Sequence, residues 1–184
     1  MNTMKQADMI FRHASEQDIE QIVALKIAMF EEAQLQHLLA VDAMECIRSD
    51  YVRLYAQRTT QHFVACDASN QTVGMAGAFL KSDLPFRYYA VPRYGFLGDV
   101  YTIPRYRGSG VATHLSQTAI SWLSNHGVSM IRLLASKDAR PVYERLGFEA
   151  SDEMVLKLPK DLPEHQEIQH EKYEFDRCCH GQSS

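Results

Sequence analysis

Between residues 96 and 126 the chain passes from an apolar run ended by a proline into an amphipathic helical pattern. The six residues at the junction, Arg105, Tyr106, Arg107, Gly108, Ser109 and Gly110, hold two glycines and two arginines. Phe96 to Ile103 reads as a strand stopped by Pro104. From about Gly108 to His126, Val111, Leu115, Ala119, Trp122 and Leu123 mark one face of a helix that stops at Asn125 to Gly127. Val128 to Leu134 then reads as a second buried strand. Strand, helix, strand over this length predicts a right-handed crossover and one parallel pair in the sheet. The junction also predicts chemistry. Glycines let the backbone turn tightly and let a ligand approach without a Cβ in the way. The first amides of the helix then form an anion site at the positive end of its dipole, to which Arg105 and Arg107 add charge-assisted donors.

The rest of the chain supplies mostly antiparallel elements. Met9 to His13 is a short apolar run, followed by Ser15 with Asp18 three residues on, a variant of the capping box, and by Ile19, Ile22, Val23 and Phe30 at helical spacing. A second helix is predicted from about Asp42 to Arg58, with Met44, Ile47, Tyr51, Leu54 and Tyr55 on one face. Gln61 to Cys66 and Thr72 to Leu80 read as a hairpin turning at Asp67 to Gln71. Lys81 to Gly95 holds Pro85, Pro92 and the aromatic or basic Phe86, Arg87, Tyr88, Tyr89, Arg93 and Tyr94, which predicts a long loop that either lines a binding site or covers the core edge. A short helix from about Ala139 to Leu146 is stopped by Gly147, and Phe148 to Ala150 with Met154 to Leu158 predict a closing strand pair. The fold class is α/β of the α+β type.

Composition narrows the partners. The 184 residues are 46% hydrophobic and 23% charged, as in an ordinary globular domain, and the formal net charge of -4 gives no general reason to expect nucleic acid or an anionic membrane. We expect a domain over 1–159 and a polar, flexible tail over 160–184, where six acidic residues face three basic ones. No run approaches the ~20 apolar residues of a membrane span, and residues 1–8 lack a signal-peptide core, so a cytoplasmic location is the expectation. Cys46, Cys66, Cys178 and Cys179 show no CxxC spacing and read as reduced thiols. We expect no metal, a role for Cys178, Cys179 and His180 being weaker than that of a floppy terminus.

Other phosphate loops fail residue by residue. No Gly-Lys-Ser or Gly-Lys-Thr ends the segment, and Thr113 stands where the third glycine of a dinucleotide fingerprint would be. The segment resembles instead the signature of the GNAT superfamily of acetyl-CoA-dependent N-acetyltransferases: Arg105, Gly108 and Gly110, preceded by the strand-then-proline run Val100, Tyr101, Thr102, Ile103, Pro104. A second family segment follows at the right distance, from Ala139 through Arg140, Pro141, Val142, Tyr143, Glu144, Arg145 and Leu146 to Gly147 and Phe148. The resemblance covers roughly Met9 to Leu158 and implies a GNAT-like mixed, mostly antiparallel sheet with one splayed parallel pair, flanked by helices.

It implies roles as well. Arg105, Tyr106, Arg107, Gly108, Ser109, Gly110, Val111 and Ala112 would hold the pyrophosphate of acetyl-CoA. Val100, Tyr101 and Thr102 would lie along its pantetheine arm, and an amide near Val100 would polarise the thioester carbonyl. Tyr143 matches the tyrosine that protonates the departing thiolate. Ser136 stands seven residues before Tyr143, where many family members have Asn, so a side-chain bond to the cofactor is absent, shortened or water-mediated. An amine nucleophile with a reference pKa of about 10.4 must lose a proton at neutral pH. Asp99 is the first candidate base and Glu32 the second, each weighed against a capping or surface role; His114 is less attractive, within the helix behind the loop. The expected reaction is direct acetyl transfer to a primary amine of a small molecule. Alternatives are a non-catalytic acyl-CoA-binding module and acetylation of a protein lysine or N-terminus. The expected partners are acetyl-CoA and an amine acceptor, with apolar surface on the loop or closing strands suited to a homodimer.

Overall fold

A computed structural model describes residues 9–83 and 92–156, and the chain divides into two units, Met1–Glu149 and Ala150–Ser184. In the first unit, β1 (Ile10–His13) leads through a 3₁₀ turn at Glu16–Asp18 into α1 (Ile19–Glu32). The buried Asp18 makes this junction. Its carboxylate accepts from the Ser15 amide at 2.8 Å and the Ser15 hydroxyl at 3.0 Å, and from two Arg12 nitrogens at 2.7 and 2.8 Å. The expected capping pair is therefore present, with an arginine from β1 added to it.

After α2 (Ala43–Ala56), strands β2 (Thr60–Cys66), β3 (Thr72–Ser82) and β4 (Arg93–Thr102) run antiparallel to one another. Helix α3 (Val111–Asn125) then crosses to β5 (Ile131–Arg132), which is parallel to β4, and α4 (Arg140–Arg145) follows. The sheet order is β1-β2-β3-β4-β5. Neighbours along a strand point to opposite faces, and both faces are buried. Val64, Met75 and Phe79 pack with Ile19, Ile22, Val23 and Tyr51 of α1 and α2. Phe63, Ala65, Ala78 and Leu97 pack with Val111, Leu115, Ala119 and Leu123 of α3. A sheet covered on both sides reads as continuous apolar runs, which is the pattern of residues 72–79.

Three expectations are corrected. The stretch expected as a loop over Lys81 to Gly95 is partly ladder: Lys81 pairs with Tyr94 and Ser82 with Arg93. Pro92 stands just before the strand, where its missing N–H costs no ladder bond, and Arg93 is anchored by a bond to the His126 carbonyl at 2.7 Å. Phe86, Arg87, Tyr88 and Tyr89 lie outside the described residues. The strand expected over Val128 to Leu134 is only two residues long, because β4 and β5 pair at Gly95–Ile131 and Phe96–Arg132 and nowhere beyond. The closing pair is not formed among the described residues: 148–156 contain no strand, and Met154, Val155 and Leu156 are exposed. An apolar run makes a strand only where a neighbouring strand lies about 4.8 Å away.

Within β4 the alternation itself breaks. Leu97 packs on the α3 side and Tyr101 on the α1–α2 side, although residues four apart on a regular strand share a face. The pairing shows why. Gly77 faces Gly98 but Met75 faces Tyr101, so Asp99 and Val100 together oppose Ala76 in a β-bulge. Asp99 takes φ +53° there, an uncommon conformation for a residue with a Cβ, with a cost on the order of 1 kcal/mol.

Candidate active site

The bulge and the divergence of β5 act together. Past Phe96 the outer edge of β4 has no strand partner among the described residues, so Val100, Tyr101 and Thr102 lie in a stretch where the parallel pair has opened. The turn after β4 carries the anion site. Gly108 and Gly110 take φ of +75° and +84°, and a Cβ built at Gly108 would meet nothing within 4 Å. Gly110 is the residue before α3, and no side chain caps that helix. The first amides of α3, at Val111, Ala112 and the following Thr113, are thus left without a side-chain acceptor at the positive helix end, as anion binding requires.

The other loop residues divide by what they touch. Tyr106 is buried and its hydroxyl donates to Asp67 at 2.9 Å, while the Ser109 hydroxyl donates to the Tyr106 carbonyl at 2.6 Å, so both brace the turn from inside. Arg105 stacks over the Tyr106 ring at 4.9 Å, lies 4.0 Å from the Asp67 carboxylate and keeps its side chain 64% exposed. Arg107 is engaged. Two of its nitrogens bond the Glu32 carboxylate at 2.5 and 2.7 Å, Nε donates to the Thr102 carbonyl at 2.8 Å, and the guanidinium lies 5.5 Å from the Tyr101 ring. The Tyr101 hydroxyl also donates to Glu32 at 3.0 Å. The bond from Arg107 is the main cause that holds the Glu32 carboxyl below its ordinary pKa.

Asp99 is placed very differently from a solvent-facing base. Its side chain is 3% exposed and accepts from three elements: Lys26 Nζ of α1, the Tyr51 hydroxyl of α2 at 2.6 Å, and His62 Nε2 of β2 at 3.1 Å. His62 Nδ1 lies 3.2 Å from the Tyr55 hydroxyl. Burial pushes the Asp99 pKa up, but the His62 hydrogen bond and the Lys26 charge outweigh it, leaving the group well below the ordinary carboxylate range. The motifs single out neither Lys26 nor His62, and residue spacing gives Tyr51 only a packing place. A signal existed for Lys26, which continues the apolar spacing of Ile19, Ile22 and Val23 on α1 and so had to face inward.

Helix α4 holds Tyr143, 8% exposed in the core on the α3 side of the sheet, with its ring edge-on to Phe148 at 6.0 Å. Desolvation raises its pKa, so the phenol keeps its proton at neutral pH. Ser136 serves α4: its hydroxyl accepts the Ala139 amide at 3.2 Å and its carbonyl accepts the Arg140 amide at 3.0 Å. His114 sits within α3, its ring 4.2 Å from that of Phe11. Cys178, Cys179 and His180 lie outside the described residues.

Comparison with known proteins bears on this arrangement. The profile of the Acetyltransferase (GNAT) family matches residues 27–148. An aminoglycoside N(6')-acetyltransferase type 1 of Acinetobacter genomosp. 13 is 28% identical over 124 residues, 66% of this chain and 84% of that protein. A predicted acetyltransferase from Clostridium acetobutylicum, crystallised with acetyl-CoA, superposes with a TM-score of 0.75 at 25% identity, over 82% of this chain and 96% of that one. An aminoglycoside 6'-N-acetyltransferase from Acinetobacter baumannii shares the fold with a TM-score of 0.61 at 22% identity, over 84% of this chain and 99% of that one. With the opened β4–β5 pair, the uncapped glycine turn and the family profile over two thirds of its length, the chain belongs to the GNAT family and is an acetyl-CoA-dependent acyltransferase.

Proposed function

We propose that the protein transfers the acetyl group of acetyl-CoA directly to a primary amine of a small, cationic molecule. The observation that carries this reading is the combination of an open β4 edge, an uncapped α3 N-terminus and a buried, protonated Tyr143. The residues fit the cofactor. The Val111 and Ala112 amides and the exposed Arg105 hold the pyrophosphate, the β4 backbone from Val100 to Thr102 hydrogen-bonds the pantetheine arm as an added strand would, and the Val100 amide polarises the thioester carbonyl. Acetyl-CoA supplies the activated acyl group. Tyr143 gives its proton to the departing thiolate. Asp99 and Glu32 are both held in ion pairs, so the amine's proton leaves through water rather than directly to either carboxylate.

The acceptor class rests on the relative named an aminoglycoside N(6')-acetyltransferase, and on the acidic Glu31 at the end of α1. The test is a screen of aminoglycosides, polyamines, simple amines and lysine peptides against acetyl-CoA, reading thiol release and product mass. Release with a small polyamine and a product heavier by the mass of one added acetyl group supports the reading. Release only with peptides moves the acceptor to protein, and binding of acetyl-CoA without release by any amine refutes it.

A further inference from the structure

Asp99 is a residue with a Cβ in a left-handed conformation, at the centre of the bulge that redirects β4, and it is also the point where α1, α2 and β2 converge on that strand. We infer that Asp99 is a positioning residue: with Lys26, Tyr51 and His62 it braces the β4 bulge and so fixes the backbone of Val100, and it is not the group that takes the amine's proton.

The donors account for the carboxylate's surroundings. Lys26 holds Oδ1, while Tyr51 and His62 share Oδ2, and Tyr51 and His62 are themselves buried. With the side chain 3% exposed and donors from three elements packed against it, an acceptor amine meets almost none of either oxygen. A base must also be able to take a proton near the working pH, and this carboxyl is held far from it. The same bonds do explain the strained backbone. A single residue in the left-handed region persists where its surroundings over-determine it, and three donors on three elements do that. Asparagine tolerates this backbone as well as any non-glycine residue does; aspartate adds the charge that pairs with Lys26. Removing one donor therefore loosens the bulge without emptying the site, and the looseness is felt at the next residue, the Val100 amide.

The inference rests on the acetyl-transfer reading above, and the experiment separates the two. Asp99→Asn, Tyr51→Phe and Lys26→Met are compared with the unmodified protein, using the amine returned by the screen. Asp99→Asn is expected to lower kcat about 10- to 100-fold at every pH and Tyr51→Phe about 3- to 10-fold, with the acid limb of the kcat/KM profile unmoved in all three variants. Affinity for CoA stays within about twofold, while the preference for acetyl-CoA over CoA shrinks in step with kcat, because the weakened hydrogen bond is the one from the Val100 amide to the acetyl carbonyl. Disappearance of the acid limb in Asp99→Asn, or its displacement in Lys26→Met, makes Asp99 the base and overturns the inference. Tyr51→Phe keeps the carboxylate, Lys26 and His62 in place, so it remains informative if Asp99→Asn folds poorly. If no amine is acetylated, the transfer reading fails by itself. The brace is then judged on the ratio of acetyl-CoA to CoA affinity alone: a ratio lowered in Asp99→Asn and Tyr51→Phe sustains it, and an unchanged ratio overturns it.

Discussion

Tyr143→Phe removes one oxygen and leaves almost everything else. The ring keeps its edge-on packing on Phe148 and its place in the α3-side core, and no hydrogen bond of the hydroxyl is found among the described residues. The stability change is therefore expected to stay within about 0.5 kcal/mol. The catalytic change should be far larger. A positioned acid contributes roughly 10²- to 10⁴-fold, and a thiolate is a moderately good leaving group, the reference thiol pKa being about 8.5. The lower end of that range applies: about 100-fold in kcat, or about 2.7 kcal/mol of barrier at 1.36 kcal/mol per factor of ten. Burial raises the phenol's pKa above its ordinary 10, so the acid form is present throughout the neutral range and is lost only as pH rises beyond that value. The variant should thus be slower by the same factor from about pH 6 to pH 9. Stopped-flow or continuous thiol release under saturating acceptor, with calorimetric CoA affinity as the control, measures both quantities. A kcat within twofold of the unmodified protein, with chemistry rate-limiting, would remove Tyr143 from the acid's role.

Asp18, whose carboxyl falls from 3.8 to about 2 chiefly through its bonds with Arg12, links stability to pH. A depressed carboxyl stabilises above its unfolded value, and the gain of about 2 kcal/mol is lost as pH falls from about 4 toward 2. Asp18→Asn should lower Tm by about 4–8 °C at neutral pH and flatten the acid side of the stability profile; equal Tm values would show that the pair contributes nothing. At the glycine turn, Arg105→Ala should weaken CoA binding about tenfold or more, in a salt-dependent way, by removing a charge-assisted bond to phosphate. Arg107→Gln and Glu32→Gln should each change it less than about threefold, since they are exposed partners of each other, worth at most about 1 kcal/mol. A larger drop in affinity for Arg107→Gln than for Arg105→Ala would reverse the assignment of the two arginines.

How far the sequence could be read depended on range. The turn at Gly108 and Gly110, the stripe from Val111 to Leu123 and the Ser15–Asp18 pair are local patterns, decided by residues a few positions apart, and each is found where it was expected. The extent of β5 and the closing pair depended on which neighbour a strand meets, a fact that no run of apolar residues contains. The apolar runs Phe148 to Ala150 and Met154 to Leu158 accordingly predict a closing pair, and 148–156 form no strand. The site divided in the same way. Arg105 and Tyr143, the residues to which the proposed transfer gives phosphate binding and the acid's role, are named by motif spacing alone. The bulge needs the count of residues on two strands at once, and the convergence of Lys26, Tyr51 and His62 on Asp99 spans separations of 73, 48 and 37 residues. Arg107 shows the limit plainly: its position in the turn suggests a bond to phosphate, and nothing local to it reveals the pairing with Glu32, 75 residues away.

The short β5 has a further cost and a further use. From Leu97 to Thr102, the edge of β4 that faces away from β3 carries main-chain donors and acceptors with no strand partner among the described residues, and such an edge can template pairing with another chain. A ligand that hydrogen-bonds along it therefore also acts as a folding partner. Because stabilisation by a ligand grows as RT ln(1 + [L]/Kd), about 2.7 kcal/mol at a hundredfold excess over Kd, acyl-CoA bound along this edge would both cover it and stabilise the fold before any acceptor is met.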